Sequence, residues 1–143
     1  MIVVLMGIPG AGKSTWVRLN KSGLEHIYNT EGVRIDRELD VAAYMNIQRR
    51  KAIMAVEAGK TLIADGTHTI ATHRQVWLKL AERLGLETRL IIFDTPLDVC
   101  LAVQNEREFP APRKVVIDHN RRLQMAKLQV KREGWGEIET IKR

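Results

Sequence analysis

The pattern of apolar and polar residues alternates between strand and helix character. Ile2 to Met6 is an unbroken β-branched and apolar run, the pattern of a strand buried on both faces. Lys13 to Leu19 reads as a helix close behind it. A short strand is predicted over His26 to Asn29, then a long helix over Leu39 to Ala58 that Gly59 ends at its C′ position. Thr61 to Ala64 predicts a third strand, running into Asp65-Gly66. Between Ile70 and Leu84, apolar residues fall at Trp77, Leu80, Ala81 and Leu84. That is the i, i+3, i+4, i+7 spacing of one helix face, and Gly85 closes the helix. Thr88 to Phe93 predicts a fourth strand. Helices follow over Leu97 to about Glu106 and Arg113 to about Arg132, the latter with Pro112 at its start. Glu137 to Ile141 predicts a fifth strand.

Such alternation implies an α/β fold, a parallel sheet with helices on both faces. In these sheets ligands sit at the carboxyl ends of the strands. Repeats, low-complexity tracts and Pro/Gly/Ser linkers are absent from the sequence, so residues 1–143 read as one domain.

Composition narrows the class. Hydrophobic residues make up 45% and charged residues 28%, which excludes a disordered tail, a collagen or a mucin. The net charge of +6 suits an anionic partner such as nucleotide, nucleic acid or lipid headgroups. The single cysteine, Cys100, allows no internal disulfide. It sits in an apolar stretch and reads as core in a protein of a reducing compartment, the cytoplasm of a cell or of a phage-infected host. The first apolar run has no basic residue ahead of it and does not read as a signal peptide. No apolar run approaches the 18 or so residues of a membrane span, so no membrane partner is expected.

The chemistry begins at Gly7-Ile8-Pro9-Gly10-Ala11-Gly12-Lys13-Ser14, which fits G-x-x-x-x-G-K-[ST]. The glycines let the backbone wrap tightly and aim its N–H groups at phosphate oxygens. The helix that follows adds its N-terminal partial charge. Lys13 reaches the β- and γ-phosphates, and Ser14 offers its hydroxyl to Mg²⁺. Two glycines at a fixed spacing arise by chance in roughly 0.5% of positions at average Gly usage, and Lys plus Ser/Thr cut this much further. The flanking strand and helix agree with the motif. The ATP-binding residues are therefore Gly7, Pro9, Gly10, Ala11, Gly12, Lys13, Ser14 and Thr15.

A P-loop leaves the acceptor open, and three segments bear on it. In Glu31-Gly32-Val33-Arg34 a carboxylate beside the P-loop could take the proton of an attacking hydroxyl. Arg34 could grip a phosphate on the acceptor. A solvated surface pair would look the same, and Asp36 is a rival base. Asp65-Gly66-Thr67-His68 ends the third strand, where an Asp can serve the magnesium shell or the acceptor, or only cap the next helix. Haloacid-dehalogenase phosphatases also carry D-G-T, but they need an Asp where this chain has Ile63. Finally, residues 104–114 join two helices and are rich in charge and proline, as a mobile lid would be. An Arg there could close over the γ-phosphate, and a solvated loop is the alternative. His68, His73 and His119 lack metal-ligand spacing and read as surface or polar-contact residues.

With these pieces in place the chain resembles the kinase domain of phage polynucleotide kinases, within the small P-loop kinases. The likeness covers nearly the whole chain: Gly7 to Ser14 with Thr15-Trp16, Tyr28-Asn29 before the acidic-x-x-Arg element, Asp65 with its polar turn, the Arg74-to-Trp77 helix, Phe93-Asp94-Thr95-Pro96 and the Arg-then-Pro lid. The resemblance implies a three-layer P-loop fold with strand order 2-3-1-4-5. It implies Glu31 as general base and Arg34 as phosphate clamp; the family usually has Asp at the position of Glu31. It implies Arg107 as lid arginine; family members often carry two, and Gln104 stands near the first. Asp65 and Arg74 are further candidate acceptor contacts.

The expected activity is ATP·Mg²⁺-dependent transfer of the γ-phosphate to a hydroxyl of nucleic acid, first of all a 5′-OH end of DNA or RNA. Alternatives are a hydroxymethylated base in DNA, a nucleoside or small metabolite, and a P-loop ATPase with no acceptor.

Overall fold

The computed structural model describes residues 1–29 and 41–142. Among these are five strands: β1 (Ile2–Met6), β2 (Glu25–Asn29), β3 (Thr61–Asp65), β4 (Thr88–Asp94) and β5 (Glu137–Lys142). They pair in the order β2-β3-β1-β4-β5, every neighbour parallel. The helices are α1 (Lys13–Asn20), α2 (Val41–Glu57), α3 (Ala71–Leu84), α4 (Leu97–Asn105) and α5 (Arg113–Gln129). The sheet order is the one the resemblance implied, and each predicted element is present.

Differences lie at the ends. The helix expected to reach about Arg132 ends at Gln129, and its last turn tightens into a 3₁₀ turn over Val130–Arg132, a common way for a helix to finish. The first positions expected for α2 lie outside the described residues. Strands β3 and β4 each run one residue further than their apolar runs, taking in Asp65 and Asp94. The ladder explains this: Asn29 pairs with Asp65 and Asp94 with Lys142, so backbone pairing carries on past the last apolar side chain.

The sequence pattern of β1 reflects its central place. All five of its residues are buried because β3 and β4 flank it on either side. Ile2, Val4, Leu5, Leu62, Leu90 and Ile91 have no exposed surface. Burying a side chain of this kind contributes about 1.5–3 kcal/mol. Helix α3 brings Trp77, Leu80 and Ala81 onto the sheet and ends at Gly85, whose left-handed φ of 65° lets the Leu86 N–H turn back to the Ala81 carbonyl at 2.9 Å. Cys100 is fully buried, and burial pushes its thiol pKa up, as for an inert core cysteine. The result for function is positional: the strands being parallel, the carboxyl ends of β1, β2, β3 and β4 all lie at one end of the sheet.

Candidate active site

The loop after β1 is shaped by three glycines that nothing larger could replace. A Cβ on Gly7 would stand 2.9 Å from the Cβ of Phe93, and one on Gly10 would stand 2.8 Å from the Cys100 carbonyl oxygen. Gly10 and Gly12 also have φ of 88° and 104°, a region costly for residues with a Cβ. The loop is tied at three points. Gly7 N–H donates to the Thr67 carbonyl at 3.0 Å, and Ala11 N–H to the Ile8 carbonyl at 3.1 Å. Thr95 Oγ1 donates to the Ala11 carbonyl at 2.8 Å. Lys13 is 3% exposed, and its Nζ donates to the carbonyls of Gly7 and Ile8 at 2.8 and 3.0 Å. The ammonium is thereby held over the loop by the loop's own oxygens.

A cavity of about 150 Å³ lies over this loop, lined by Gly10 to Thr15, Val103 and Arg107. Helix α1 starts at its floor without a side-chain cap, so the positive end of the helix faces the cavity. Ser14 is exposed in the first turn. Among the described residues no three His, Cys, Asp or Glu side chains are grouped to cage a metal. Mg²⁺ commonly takes few protein ligands and completes its shell with phosphate oxygens and water, and the exposed Ser14 hydroxyl is the group here that could offer it one. Arg107, in the turn after α4, reaches the same cavity, where a lid arginine was expected.

A second cavity, about 230 Å³, opens at the turn after β3. It is lined by Tyr28, Met45, Arg49, Gly66, Thr67, His68, His73, Val76 and Trp77. The Tyr28 and Trp77 rings meet edge to face at 4.9 Å. Burial pushes the Tyr28 phenol pKa up, against the nearby Arg49 charge. The wall is fixed from behind. His68 Nδ1 faces the Leu5 carbonyl at 2.7 Å and must carry the proton, since a carbonyl only accepts. Its Nε2 then accepts from Trp77 Nε1 at 3.0 Å. Burial drives the His68 pKa down to about 4, so the ring is neutral at pH 7, consistent with that tautomer. His68 holds a φ of 47°, unusual for a residue with a Cβ.

Asp65 stands at the end of β3, 3% exposed, and accepts from Asn29 Nδ2 at 3.2 Å. Arg74 is a correction. It was expected to reach the acceptor, but it has no exposed surface. Its guanidinium is spent on the Glu133 carboxylate, at 2.9 Å from both Nε and Nη2, and on the His68 carbonyl at 3.0 Å. Its position three residues before Trp77 and seven before Ala81 put it on the apolar face of α3, which was the available signal. The buried Tyr28 and Trp77 and the exposed Arg49, which also line the second cavity, come from three elements, and no local motif announces that they meet. Of the three histidines weighed as metal ligands, His68 is buried, His73 lines the second cavity, and His119 Nδ1 lies 2.9 Å from Thr69 Oγ1. Glu31, Arg34 and Asp36 lie outside the described residues.

A family model described as an AAA domain matches residues 2–129. The chain belongs to that family. Two solved structures show that its AAA domain has the fold of P-loop kinases. One is deoxyadenosine kinase from M. mycoides with bound dATP: TM-score 0.60, 14% identity, covering 99% of this chain and 91% of that one. The other is the Deinococcus radiodurans tunicamycin resistance protein: TM-score 0.54, 16% identity, covering 96% and 84%. No curated protein matches the sequence of this AAA-domain chain. Among the described residues no helix is long and apolar enough to cross a membrane.

Proposed function

We propose that this protein is an ATP-dependent kinase whose donor site is the P-loop cavity and whose acceptor site is the Tyr28–Trp77 cavity. The observation that carries this reading is the bond from Gly7 N–H to the Thr67 carbonyl. Through it the first glycine of the phosphate loop is fastened to the turn that lines the second cavity, which ties the acceptor side to the donor side. An ATPase without an acceptor has no use for the second one.

In this reading the attacking hydroxyl gives its proton to Glu31, or to Asp36, as its oxygen bonds to the γ-phosphorus. The bond from that phosphorus to the β–γ bridging oxygen breaks, and ADP leaves. Arg34 and Asp65 hold the acceptor. Lys13 exchanges its loop carbonyls for phosphate oxygens, and Arg107 closes over the charge on the passing phosphoryl group. Catalysis of this kind is mostly positioning and electrostatic stabilisation. Mg²⁺, held through Ser14, would supply further charge neutralisation at the β- and γ-oxygens.

The acceptor we favour is the 5′-OH end of a nucleic acid. The net charge of +6 attracts a polyanion, and the Tyr28–Trp77 wall with Arg49 suits a base against aromatic and cationic surfaces. A second reading, a free nucleoside or similar small metabolite, is favoured by the size of that cavity, about 230 Å³, which seats little more than one nucleoside. The test is to incubate the protein with γ-labelled ATP and a panel of 5′-OH DNA, 5′-OH RNA, hydroxymethylated duplex, nucleosides and nucleoside 3′-monophosphates. Label on the oligonucleotides supports the first reading, and label on nucleosides alone replaces it with the second. No label on any acceptor sinks both.

A further inference from the structure

A groove of about 370 Å³ runs between α2 and α3. Its floor is apolar, made by Ile53 of α2 and by Val76, Trp77 and Leu80 of α3. The α3 residues that line it fall at the i, i+3, i+4, i+7 spacing of one helix face, which Lys79 and Arg83 complete. Arg49, Val76 and Trp77 line both this groove and the Tyr28–Trp77 cavity. Trp77 is buried, but Arg49 is exposed and Val76 is 39% exposed, so the border the two hollows share lies at the protein surface.

The charges of the groove have one sign. Arg49, Lys79 and Arg83 line it, and among the described residues no carboxylate does. Cations beside an apolar floor match a single strand, whose phosphates recur along one edge and whose sugars and base faces need only a surface to lie on. The floor offers no donor to read a base, because the Trp77 N–H is already given to His68. From Val76 to Arg83 the helix rises about 10 Å, the length of about three nucleotides at about 3.4 Å each.

We propose that the α2–α3 groove carries the strand of a nucleic-acid acceptor behind its 5′-terminal nucleoside. The terminal nucleoside occupies the Tyr28–Trp77 cavity, Arg49 stands at the junction, and Lys79 and Arg83 hold phosphates of about the next three nucleotides. Binding along the groove is indifferent to sequence. The inference rests on the reading of the Tyr28–Trp77 cavity as the seat of a nucleic-acid end, and adds how far along the strand the protein reaches.

The test is a double variant, Lys79→Ala with Arg83→Ala. Both side chains are exposed, so the thermal midpoint should stay that of the wild type, and neither lines the Tyr28–Trp77 cavity. The acceptor KM is measured across a salt series for 5′-OH oligonucleotides of increasing length and for a nucleoside 3′-monophosphate, which reaches only that cavity. For the wild type, KM should fall with length and level off at about four nucleotides. The double variant should raise the hexanucleotide KM about fivefold at low salt, as for two exposed ion pairs lost. Its log–log salt slope should flatten by about 1.4, at about 0.7 for each phosphate contact, with the monophosphate KM unchanged. A wild-type hexanucleotide KM and slope in the double variant overturn the proposal and leave the acceptor cavity standing; if the variant instead sediments as a different oligomer, the groove belongs to a second copy of the chain. An equal rise in KM for both acceptors also overturns it, because the substitutions then act on the terminal nucleoside. A wild-type protein that labels nucleosides and no oligonucleotide removes the nucleic-acid reading and the groove proposal with it.

Discussion

Arg74 and Glu133 form a two-pronged ion pair, Nε and Nη2 of the one each 2.9 Å from a carboxylate oxygen of the other. The guanidinium is fully buried and the carboxylate nearly so, at 13% exposure. Burial raises the Glu133 pKa, but the bonds from Arg74 and Trp135 and the Arg74 charge together bring it below the ordinary carboxylate value. Because Arg74 also donates to the His68 carbonyl, the pair braces the turn that lines the second cavity. Arg74→Ala should strand a buried carboxylate and cost about 3–5 kcal/mol, measured by urea unfolding. A loss under about 1 kcal/mol would show that the pair does not brace the fold.

The pH dependence of stability should carry the mark of His68. Its folded pKa, about 4, lies below the ordinary 6.5, so the unfolded chain binds the proton more readily. Stability is then full above pH 6.5 and falls as pH drops toward 4. The total is about 3 kcal/mol at about 1.4 kcal/mol per pKa unit. The Glu133 contribution acts lower, because a depressed carboxylate loses its share only as pH falls through its folded pKa. His68→Asn keeps a residue that tolerates positive φ and should flatten the curve between pH 4 and 6.5. An unchanged slope in that variant would assign the dependence to other groups.

Phosphoryl transfer should depend on the shape of the phosphate loop as much as on its charge. Lys13→Ala and Ser14→Ala should each lower kcat by orders of magnitude with the fold intact. Gly10→Ala should abolish ATP binding, because its methyl group would meet the Cys100 carbonyl at 2.8 Å in a backbone with φ of 88°. Near-normal turnover by Lys13→Ala would rule the P-loop mechanism out.

The base can be assigned by comparing two amides. Glu31→Gln should reduce kcat by about 10²- to 10⁴-fold with ATP binding kept, and Asp36→Asn should reduce it less. The reverse order moves the role to Asp36. In the same assay Arg107→Ala should depress kcat more than it raises the acceptor KM; a silent variant would discard the lid assignment.

The cavity proposed for the acceptor makes a different split. Arg49→Ala should raise the acceptor KM while leaving the ATP KM within about twofold, because Arg49 lines only the cavity beside Tyr28 and Trp77 of the two described at the site. Steady-state kinetics with each substrate varied in turn would check this. Equal changes in both constants would mean that the cavity does not seat the acceptor.

How far the sequence could be read follows from how far apart the interacting residues lie. The phosphate loop was legible because its chemistry is contiguous: eight residues, a strand before and a helix after. The sheet order came through the family likeness, since apolar runs give strands but not their neighbours. Arg74 was misjudged because its partner is 59 positions away. A charged residue on an apolar helix face looks the same whether it escapes to solvent or pairs inside. The Tyr28–Trp77 cavity was invisible for the same reason, being assembled from β2, α2, the turn after β3 and α3. Gln104 read as a gap in a lid pattern, and only its bond to the Ala111 N–H shows which way its amide points.

The Gly7–Thr67 bond ties the turn of the aromatic cavity to the phosphate loop, so the two can be coupled in binding. An occupant of the aromatic cavity that firms the turn at residues 66–68 firms the phosphate loop with it. By linkage, the nucleotide must then strengthen the hold on that occupant by the same factor. For such a protein, titrating either ligand alone understates the affinity each has in the ternary complex.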